Sequence, residues 1–282
     1  MKKNLPLILI STILAAGIGV ILYPVVGNFI SKATSSSEIS SYDAAVAQLD
    51  DSERQSMLAA AEAYNATLSG VINRDAFSVD DSEDTEESAQ YLSLLNVDGV
   101  MGYIDIPSID VYLPIFHGTS EEVLQKGAGH LEGSALPIGG LGTNTVISAH
   151  RGLPSAKLFT DLDQLELGDL FYIHVLGETL AYQVDQVVVV EPSNTEPLNA
   201  VAGEDHATLM TCTPYGINSH RMLVRGIRVS TPDADDTSAV SGGTTIASEL
   251  SAAPVWVTVP VGIALFIPIR AIVIKIHHKR KP

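Results

Sequence analysis

Two long apolar runs, one at each end of the chain, constrain its fold more than any other feature. The first, Leu5–Ile30, holds 26 residues without a formal charge, which as a helix is long enough to cross the roughly 30 Å hydrocarbon core of a membrane. The second, Ala253–Ile269, is also uncharged, and its apolar character resumes after Arg270. Because neither run has a polar face, we predict two transmembrane helices, an N-terminal anchor or signal-anchor over 1–32 and a second span over 253–276. The basic start also resembles a signal peptide, but the apolar run is longer than is usual for one, which favours an uncleaved anchor.

The distribution of charge predicts how the chain is oriented in the membrane. Lys2 and Lys3 precede the first run, and the tail 277–282 is basic, whereas all 33 acidic residues lie between the two runs. The positive-inside rule therefore predicts a multi-pass cell-membrane protein with both termini in the cytoplasm and the acidic middle outside the cell. The net charge of -17 argues against a nucleic-acid partner.

The middle of the chain divides into regions of different composition. Residues 33–68 carry apolar side chains at near-helical spacing, with Asp50, Asp51 and Ser52 as candidate helix caps. The acid-rich stretch Ser78–Ser88 is typical of a solvated loop. We therefore predict a helical region over 33–98, and a flexible linker over 231–252 where Ser, Thr, Gly, Ala and Asp predominate.

Residues 99–230 change to short runs of β-branched and aromatic residues separated by Gly, Pro, Asn and Asp. Many short strands at regular spacing favour a mainly β fold, a closed β barrel, with a helix over Ser155–Leu165. The predicted strands are Met101–Ile106, Val111–Phe116, Thr145–Ala149, Asp169–Leu176, Leu180–Val190, Ala207–Thr211 and Met222–Val229.

Cys212 is the single cysteine of the chain, which excludes an intramolecular disulfide and a CxxC metal or redox motif. It follows the predicted strand Ala207–Thr211 and precedes Thr213-Pro214, so the pattern places the thiol at a strand end that opens into a loop. Arginines follow within sixteen residues, and nearby cations lower the pKa of a thiol. The residues alone are compatible with a nucleophile or with a small buried side chain.

A cysteine nucleophile needs a proton acceptor or ion-pair partner, and histidine is the usual one. His150 follows the predicted strand Thr145–Ala149 as Cys212 follows its own strand, so the two groups are able to meet at one rim of a barrel. His220 and His130 are the alternatives that the pattern leaves open. We find no cofactor-binding or metal-binding motif, and we expect neither a cofactor nor a metal.

Three segments resemble the class C sortases, the enzymes that assemble pili. Thr208–Gly226 is similar to the catalytic signature of the family, His150–Leu162 to its histidine segment, and Gly127–Gly133 to a further class C run. The resemblance covers roughly residues 40–230. It implies an eight-stranded, sortase-type closed barrel, and a second membrane span is also typical of this class.

The resemblance also implies roles for individual residues. Cys212 is implied to be the nucleophile, His150 its acid/base partner and Arg221 the catalytic arginine, while His130 and His220 are implied to be structural. The implied reaction is transpeptidation of pilin subunits with Leu-Pro-x-Thr-Gly-like C-terminal sorting signals, cleaved between Thr and Gly and joined to a lysine amine of the next pilin. The alternatives are a housekeeping sortase that anchors surface proteins to the cell wall, a papain-like cysteine hydrolase and a non-enzymatic, membrane-anchored adhesin or scaffold.

Asp75-Ala76-Phe77 resembles the Asp-Pro-aromatic lid motif of class C sortases, with Ala in place of Pro. Two side chains that are two residues apart in an extended segment point the same way. We therefore predict that Asp75 pairs with Arg221 and that Phe77 covers the Cys212 thiol. Without proline to fix the backbone, the loop is expected to be more flexible than is usual for the family.

Overall fold

The computed structural model describes residues 5–78 and 86–231. Helix α1, Leu5–Val46, contains the predicted N-terminal span, and Leu9–Val46 is long and apolar enough to cross a membrane. Its side chains along the apolar run are largely exposed to the surroundings, as a membrane segment requires. The predicted linker 231–252, apart from Thr231, the second span 253–276 and the basic tail lie outside the described residues.

Two further helices precede the barrel. Helix α2, Asp51–Thr67, begins with a capping box in which Asp50 and Glu53 each bind the backbone N–H of the other, so the predicted cap Asp50 is confirmed. Helix α3, Glu86–Ser93, overlaps the segment predicted to be a solvated loop. That prediction is wrong for 86–88, because the fully buried Tyr91 anchors this short helix against the barrel; residues 79–85 lie outside the described residues.

The barrel is closed and mainly β, as predicted, and its strand order is β1-β2-β3-β4-β7-β8-β6-β5. Seven strands correspond to predicted ones, whereas β3 was not predicted because three residues are too few to show an alternating pattern. The strands are β1 Gly102–Ile106, β2 Val111–His117, β3 Ala128–His130, β4 Thr143–Ser148, β5 Leu170–Val175, β6 Glu178–Val190, β7 Asp205–Thr213 and β8 His220–Val229.

The connections differ from prediction at two places. Helix α4, Glu121–Lys126, was not predicted; the Ser120 side chain accepts a hydrogen bond from the Val123 N–H at its start. The predicted helix Ser155–Leu165 is wrong, because most of the segment forms turns and only Leu162–Gln164 is helical, as a 3-10 turn. Leu158 has a positive φ of 43°, which a right-handed helix does not allow.

The pairing of β7 with its two neighbours determines what meets at one rim of the barrel. Strand β7 is parallel to β4 and antiparallel to β8. The carboxyl ends of β4 and β7 and the amino end of β8 therefore lie together. Loops that leave this rim are in position to form a site.

Candidate functional site

Cys212 is the penultimate residue of β7, and the parallel pairing brings His150 beside it. Beyond the end of β4, the Ala149 N–H donates to the Met210 carbonyl at 3.2 Å, and the Thr211 hydroxyl donates to the Ala149 carbonyl at 2.8 Å. Continuing this register by one residue places His150 opposite Cys212. The structure thus brings together the two strand-end residues that the sequence singled out.

Arg221 lies directly opposite Cys212 on the neighbouring strand β8. Side chains of directly paired residues in adjacent strands lie on the same face of a sheet, so the guanidinium is near the thiol. Arg221 Nε donates to Asp75 Oδ1 at 2.8 Å and Nη2 donates to Asp75 Oδ2 at 2.7 Å, and both side chains are 9% exposed. This planar two-point ion pair is the pairing predicted for Asp75 and Arg221.

The Cys212 thiol is buried near the end of its strand. Strand β7 continues through Thr213 instead of ending at Thr211, and Cys212 is only 6% exposed. Burial raises the pKa of the Cys212 thiol above its ordinary value; Arg221 acts to lower it and Asp75 acts to raise it. The lowered thiol pKa that the nearby arginines indicated is therefore wrong for this arrangement, because burial outweighs the attraction of Arg221.

Residues 69–78, which we call the lid segment, extend to this rim. The ring of Phe77 lies 5.7 Å from the His150 ring and 5.2 Å from the Arg221 guanidinium carbon, measured to ring centroids. Phe77 therefore contacts the two residues that flank Cys212 in the barrel register. Ala76 is fully buried and packs in a small apolar cluster with residues such as Met210 and Leu223. The predicted flexibility of the loop stays a prediction.

The beginning of the lid segment is fixed to the barrel by three hydrogen bonds. The Ile72 N–H donates to Asn199 Oδ1 at 2.9 Å, and the Thr195 hydroxyl donates to the Ile72 carbonyl at 2.6 Å. The Ala200 N–H donates to the Gly70 carbonyl at 2.8 Å. The lid segment is thus attached at its start to the segment before β7 and at Asp75 to β8.

Two polar contacts flank His150. Its Nε2 atom lies 3.1 Å from Oε2 of Glu121 on α4. The next residue, Arg151, forms an ion pair with Asp163 and donates to the Thr213 hydroxyl at 3.3 Å, which ties the loop after β4 to the end of β7. Sequence reasoning missed Glu121, because nothing in the pattern connects a carboxylate on an unpredicted helix with a histidine 29 residues later.

The other two candidate histidines have different surroundings. His130 is fully buried, with Nδ1 2.9 Å from the Tyr91 hydroxyl and Nε2 2.8 Å from the Ala135 carbonyl. Burial lowers its pKa to about 4, so the ring is neutral at ordinary pH. His220 is half-buried at the start of β8, with Nδ1 2.8 Å from the Ser219 hydroxyl. Both rings have local partners, and the register places His150 beside Cys212.

Comparison with known proteins identifies the family of this chain. The Sortase domain family matches residues 104–229, which is nearly the whole barrel. Sortase C-1 from Streptococcus pneumoniae is 47% identical, with a TM-score of 0.64 over 69% of this chain and 99% of that chain. This chain belongs to the sortase family, among its class C members. The class C match covers a larger share of this chain than the 126 residues of the family match.

Further sortases of class C and of other classes are also similar to this chain. Sortase C1 from Streptococcus agalactiae is 45% identical, with a TM-score of 0.66 over 72% of this chain and 99% of that chain. Sortase A from Bacillus anthracis is 31% identical over 132 residues, which are 47% of this chain and 61% of that protein. The chain thus spans less than two thirds of this curated relative. Family membership excludes the papain-like alternative and confirms the eight-stranded sortase barrel.

Proposed function

We propose that this sortase is a cysteine transpeptidase that assembles covalent pili. It cleaves Leu-Pro-x-Thr-Gly-like sorting signals of pilin subunits between Thr and Gly and joins the Thr to a lysine amine of the next pilin. The observation that carries the proposal is the placement of Cys212 between His150 and Arg221 on adjoining chain segments at one rim. A similar structure described as a pilus-related sortase C of Group B Streptococcus, 46% identical, supports pilin as the substrate class.

In the first half-reaction, the Cys212 thiolate attacks the carbonyl carbon of the Thr residue. The resulting oxyanion is stabilised by Arg221, whose guanidinium stays charged at any relevant pH and offers several donors. The Thr–Gly C–N bond then breaks, and His150 in its protonated form gives a proton to the leaving Gly amine. The product is a thioester between Cys212 and the pilin.

In the second half-reaction, a neutral lysine amine of the next pilin attacks the thioester carbon. His150, now neutral, accepts the proton that the amine loses, and the C–S bond breaks to release the Cys212 thiolate. An isopeptide bond joins the two pilins, and the enzyme returns to its starting protonation state. His150 donates a proton in the first half-reaction and accepts one in the second, so a single acid/base residue is sufficient.

The lid segment regulates entry in this proposal. In the structure, Asp75 occupies two donors of Arg221, and Phe77 lies against the His150 ring. A substrate carbonyl needs those Arg221 donors, so Asp75 must leave before the oxyanion is stabilised. The raised pKa of the Cys212 thiol keeps the nucleophile protonated until then, because burial and Asp75 both favour the neutral thiol. When the lid segment opens, the thiol gives its proton to His150, which forms the thiolate and the protonated histidine of the first half-reaction.

The membrane arrangement that we propose has both termini in the cytoplasm and the catalytic barrel outside the cell. The proposed domains are the anchor 1–32, the helical region with the lid 33–98, the catalytic barrel 99–230, the linker 231–252, the second span 253–276 and the tail 277–282. The candidate span within α1 and the basic residues at both ends of the sequence support this arrangement.

The test uses the full-length protein in detergent, incubated with a pilin that carries its sorting signal. We expect mass spectrometry to detect a thioester on Cys212 and gels to show covalent multimers. Cys212→Ala is expected to lose both, whereas His220→Ala, changed at the same rim, is expected to retain both. Isopeptide-linked multimers formed by Cys212→Ala would refute the assignment of the nucleophile. Cleavage by the parent without multimers would show a hydrolase instead of a transpeptidase.

A further inference from the structure

We infer that Glu121 is a positioning residue for His150, which it orients through the imidazole Nε2 atom. The inference rests on the proposed function, since it assumes that His150 exchanges a proton during transpeptidation. It adds a member to the site that neither the lid motif nor the cysteine and histidine segments contain. Glu121 acts through His150 and has no expected contact with the pilin.

The Glu121 carboxylate is fixed at both of its oxygens. Oε2 lies 3.1 Å from Nε2 of His150, and Oε1 accepts a hydrogen bond at 2.8 Å from Gln125, one helical turn further along α4. The start of the helix is itself fixed, because Ser120 caps it. The carboxylate therefore has a defined direction although its side chain is 66% exposed, whereas the His150 side chain is 19% exposed.

The chemistry of the two groups determines which ring nitrogen carries the proton. The hydrogen bond from Gln125, followed by the attraction of His150, lowers the pKa of Glu121, so the carboxyl group is ionised and accepts only. An accepting carboxylate requires Nε2 to be the donor, which leaves Nδ1 as the nitrogen that exchanges protons. The same carboxylate offsets the positive charge on the ring when Nδ1 is protonated.

The other charged groups around His150 explain why a fixed anion is useful there. In the closed arrangement the charge of Arg221 is neutralised by Asp75, and Arg151 is neutralised by Asp163. When Asp75 leaves, Arg221 and the histidine cation face each other across Cys212. Glu121 lies outside the lid segment, so its negative charge remains after the lid opens.

The chain offers a matched control on the same helix. Glu122 forms an ion pair with Lys126 at 2.7 Å, four residues along the helix, and does not contact His150. Replacing either glutamate thus removes one exposed carboxylate and its side-chain contact from the first turn of α4. Glu121→Gln keeps a side-chain oxygen that accepts from Nε2 but removes the charge, whereas Glu121→Ala removes both.

The first measurement is steady-state transpeptidation by the full-length protein. We expect kcat to fall about tenfold in Glu121→Ala and about twofold to threefold in Glu121→Gln, with KM unchanged, because orientation is lost in the first and only charge in the second. Glu122→Ala and Glu122→Gln are expected to keep the parent kcat. Parent-like kcat in Glu121→Ala, or an effect on KM alone, would overturn the inference.

The second measurement does not depend on turnover. Nitrogen NMR shifts of the His150 ring, assigned by their loss in His150→Gln, report which nitrogen is protonated. We expect Nε2 to be protonated in the parent and in Glu121→Gln, and a mixture of both tautomers in Glu121→Ala. If α4 does not form in Glu121→Ala, the kcat values of Glu121→Gln and Glu122→Gln still test the inference. A lower kcat in Glu121→Gln supports it, and equal values contradict it.

The two measurements separate the inference from the proposed function. A ring protonated at Nε2 in a protein that makes no multimers would contradict transpeptidation and leave the positioning of His150 intact. Multimers formed at the parent rate by Glu121→Ala, with an unchanged tautomer, would contradict the inference alone.

Discussion

The rim of the barrel and the lid segment contribute to the same site, but different forces stabilise them. Cys212 and Arg221 are paired in a continuous β7–β8 ladder of eight residue pairs, and backbone hydrogen bonds continue the pairing of β4 with β7 toward His150. The lid segment has no strand or helix of its own from Gly70 to Asp75 and depends on a few hydrogen bonds and one ion pair. Backbone ladders thus fix the geometry of the proposed catalytic residues, while separable side-chain contacts attach the lid segment to the barrel.

Arg221→Lys is expected to give the largest effect. The substitution keeps the positive charge at the rim of the barrel but removes the guanidinium group. Lysine lacks the planar set of donors, so we expect kcat for transpeptidation to fall by about 100-fold. Arg225→Lys is the control, because Arg225 is on the same strand and has a two-point ion pair with Asp185 away from the site. An Arg221→Lys enzyme with the parent kcat would show that charge alone is needed at this position.

His130→Gln tests the barrel through the pH dependence of its folding stability. His130 has a pKa lowered to about 4 by burial, so the unfolded chain takes up a proton below about pH 6.5 that the folded barrel refuses until about pH 4. Folding stability is therefore complete above pH 6.5 and is lost as the pH falls towards 4, by about 3 kcal/mol from this group. We expect thermal unfolding midpoints measured from pH 7 to 4 to fall less steeply in His130→Gln than in the parent. His220→Gln should follow the parent; the same slope in all three proteins would contradict the assignment.

Asp75→Ala tests the lid side. Cys212 is the only cysteine, so its alkylation by a small thiol reagent is measurable in the whole protein. We expect about tenfold faster alkylation at neutral pH, because loss of Asp75 both opens the lid and removes an anion that raises the thiol pKa. A pH series separates the two causes, since easier access raises the plateau rate and a lower pKa moves the midpoint to lower pH.

The control for Asp75 is Asp185→Ala, which removes the other two-point ion pair with an arginine of β8. We expect it to alkylate at the parent rate over the whole pH series. If Asp75→Ala also kept the parent rate and midpoint, the lid segment would not protect the thiol, and the contrast between rim and lid would fail.

Asn199→Ala is expected to give the smallest effect. The Ile72 N–H loses its acceptor, which at about 1 kcal/mol makes opening of the lid segment about fivefold more frequent. Alkylation of Cys212 should accelerate by a similar factor with no change in its pH midpoint. Asn199→Asp keeps the acceptor and should stay near the parent rate; equal acceleration in both variants would mean that this hydrogen bond does not fasten the lid.

The features that were predictable from sequence are those with a strong local pattern. The strands that end near Cys212 and His150 show alternating apolar residues, and the resemblance connected Arg221 and Asp75 to them. Where the local pattern was weak or misleading, prediction failed. The three residues of β3 show no pattern, and the apolar spacing of Ser155–Leu165 comes from turns that point their side chains inward.

The raised pKa of Cys212 and the contact of Glu121 with His150 were not predictable from the sequence for a different reason. Both depend on long-range packing: the pKa depends on burial of the thiol and on Asp75, and the contact depends on Glu121, which precedes His150 by 29 residues. The direction of the shift in the thiol pKa depends on such packing. An arginine nearby in sequence indicated a lowered thiol pKa, but burial reverses the direction.

The parallel pairing of β4 with β7 also determines when the site comes into being during folding. These strands are far apart in sequence and are separated by the β5–β6 hairpin, so their contact carries a large loop-closure entropy and forms late. Strand β8, which pairs with both β6 and β7, is the last strand of the barrel. A chain in which β4, β7 and β8 have not yet paired therefore has its thiol without His150 or Arg221 beside it. Such a chain lacks the proposed catalytic arrangement until the final strand joins the sheet.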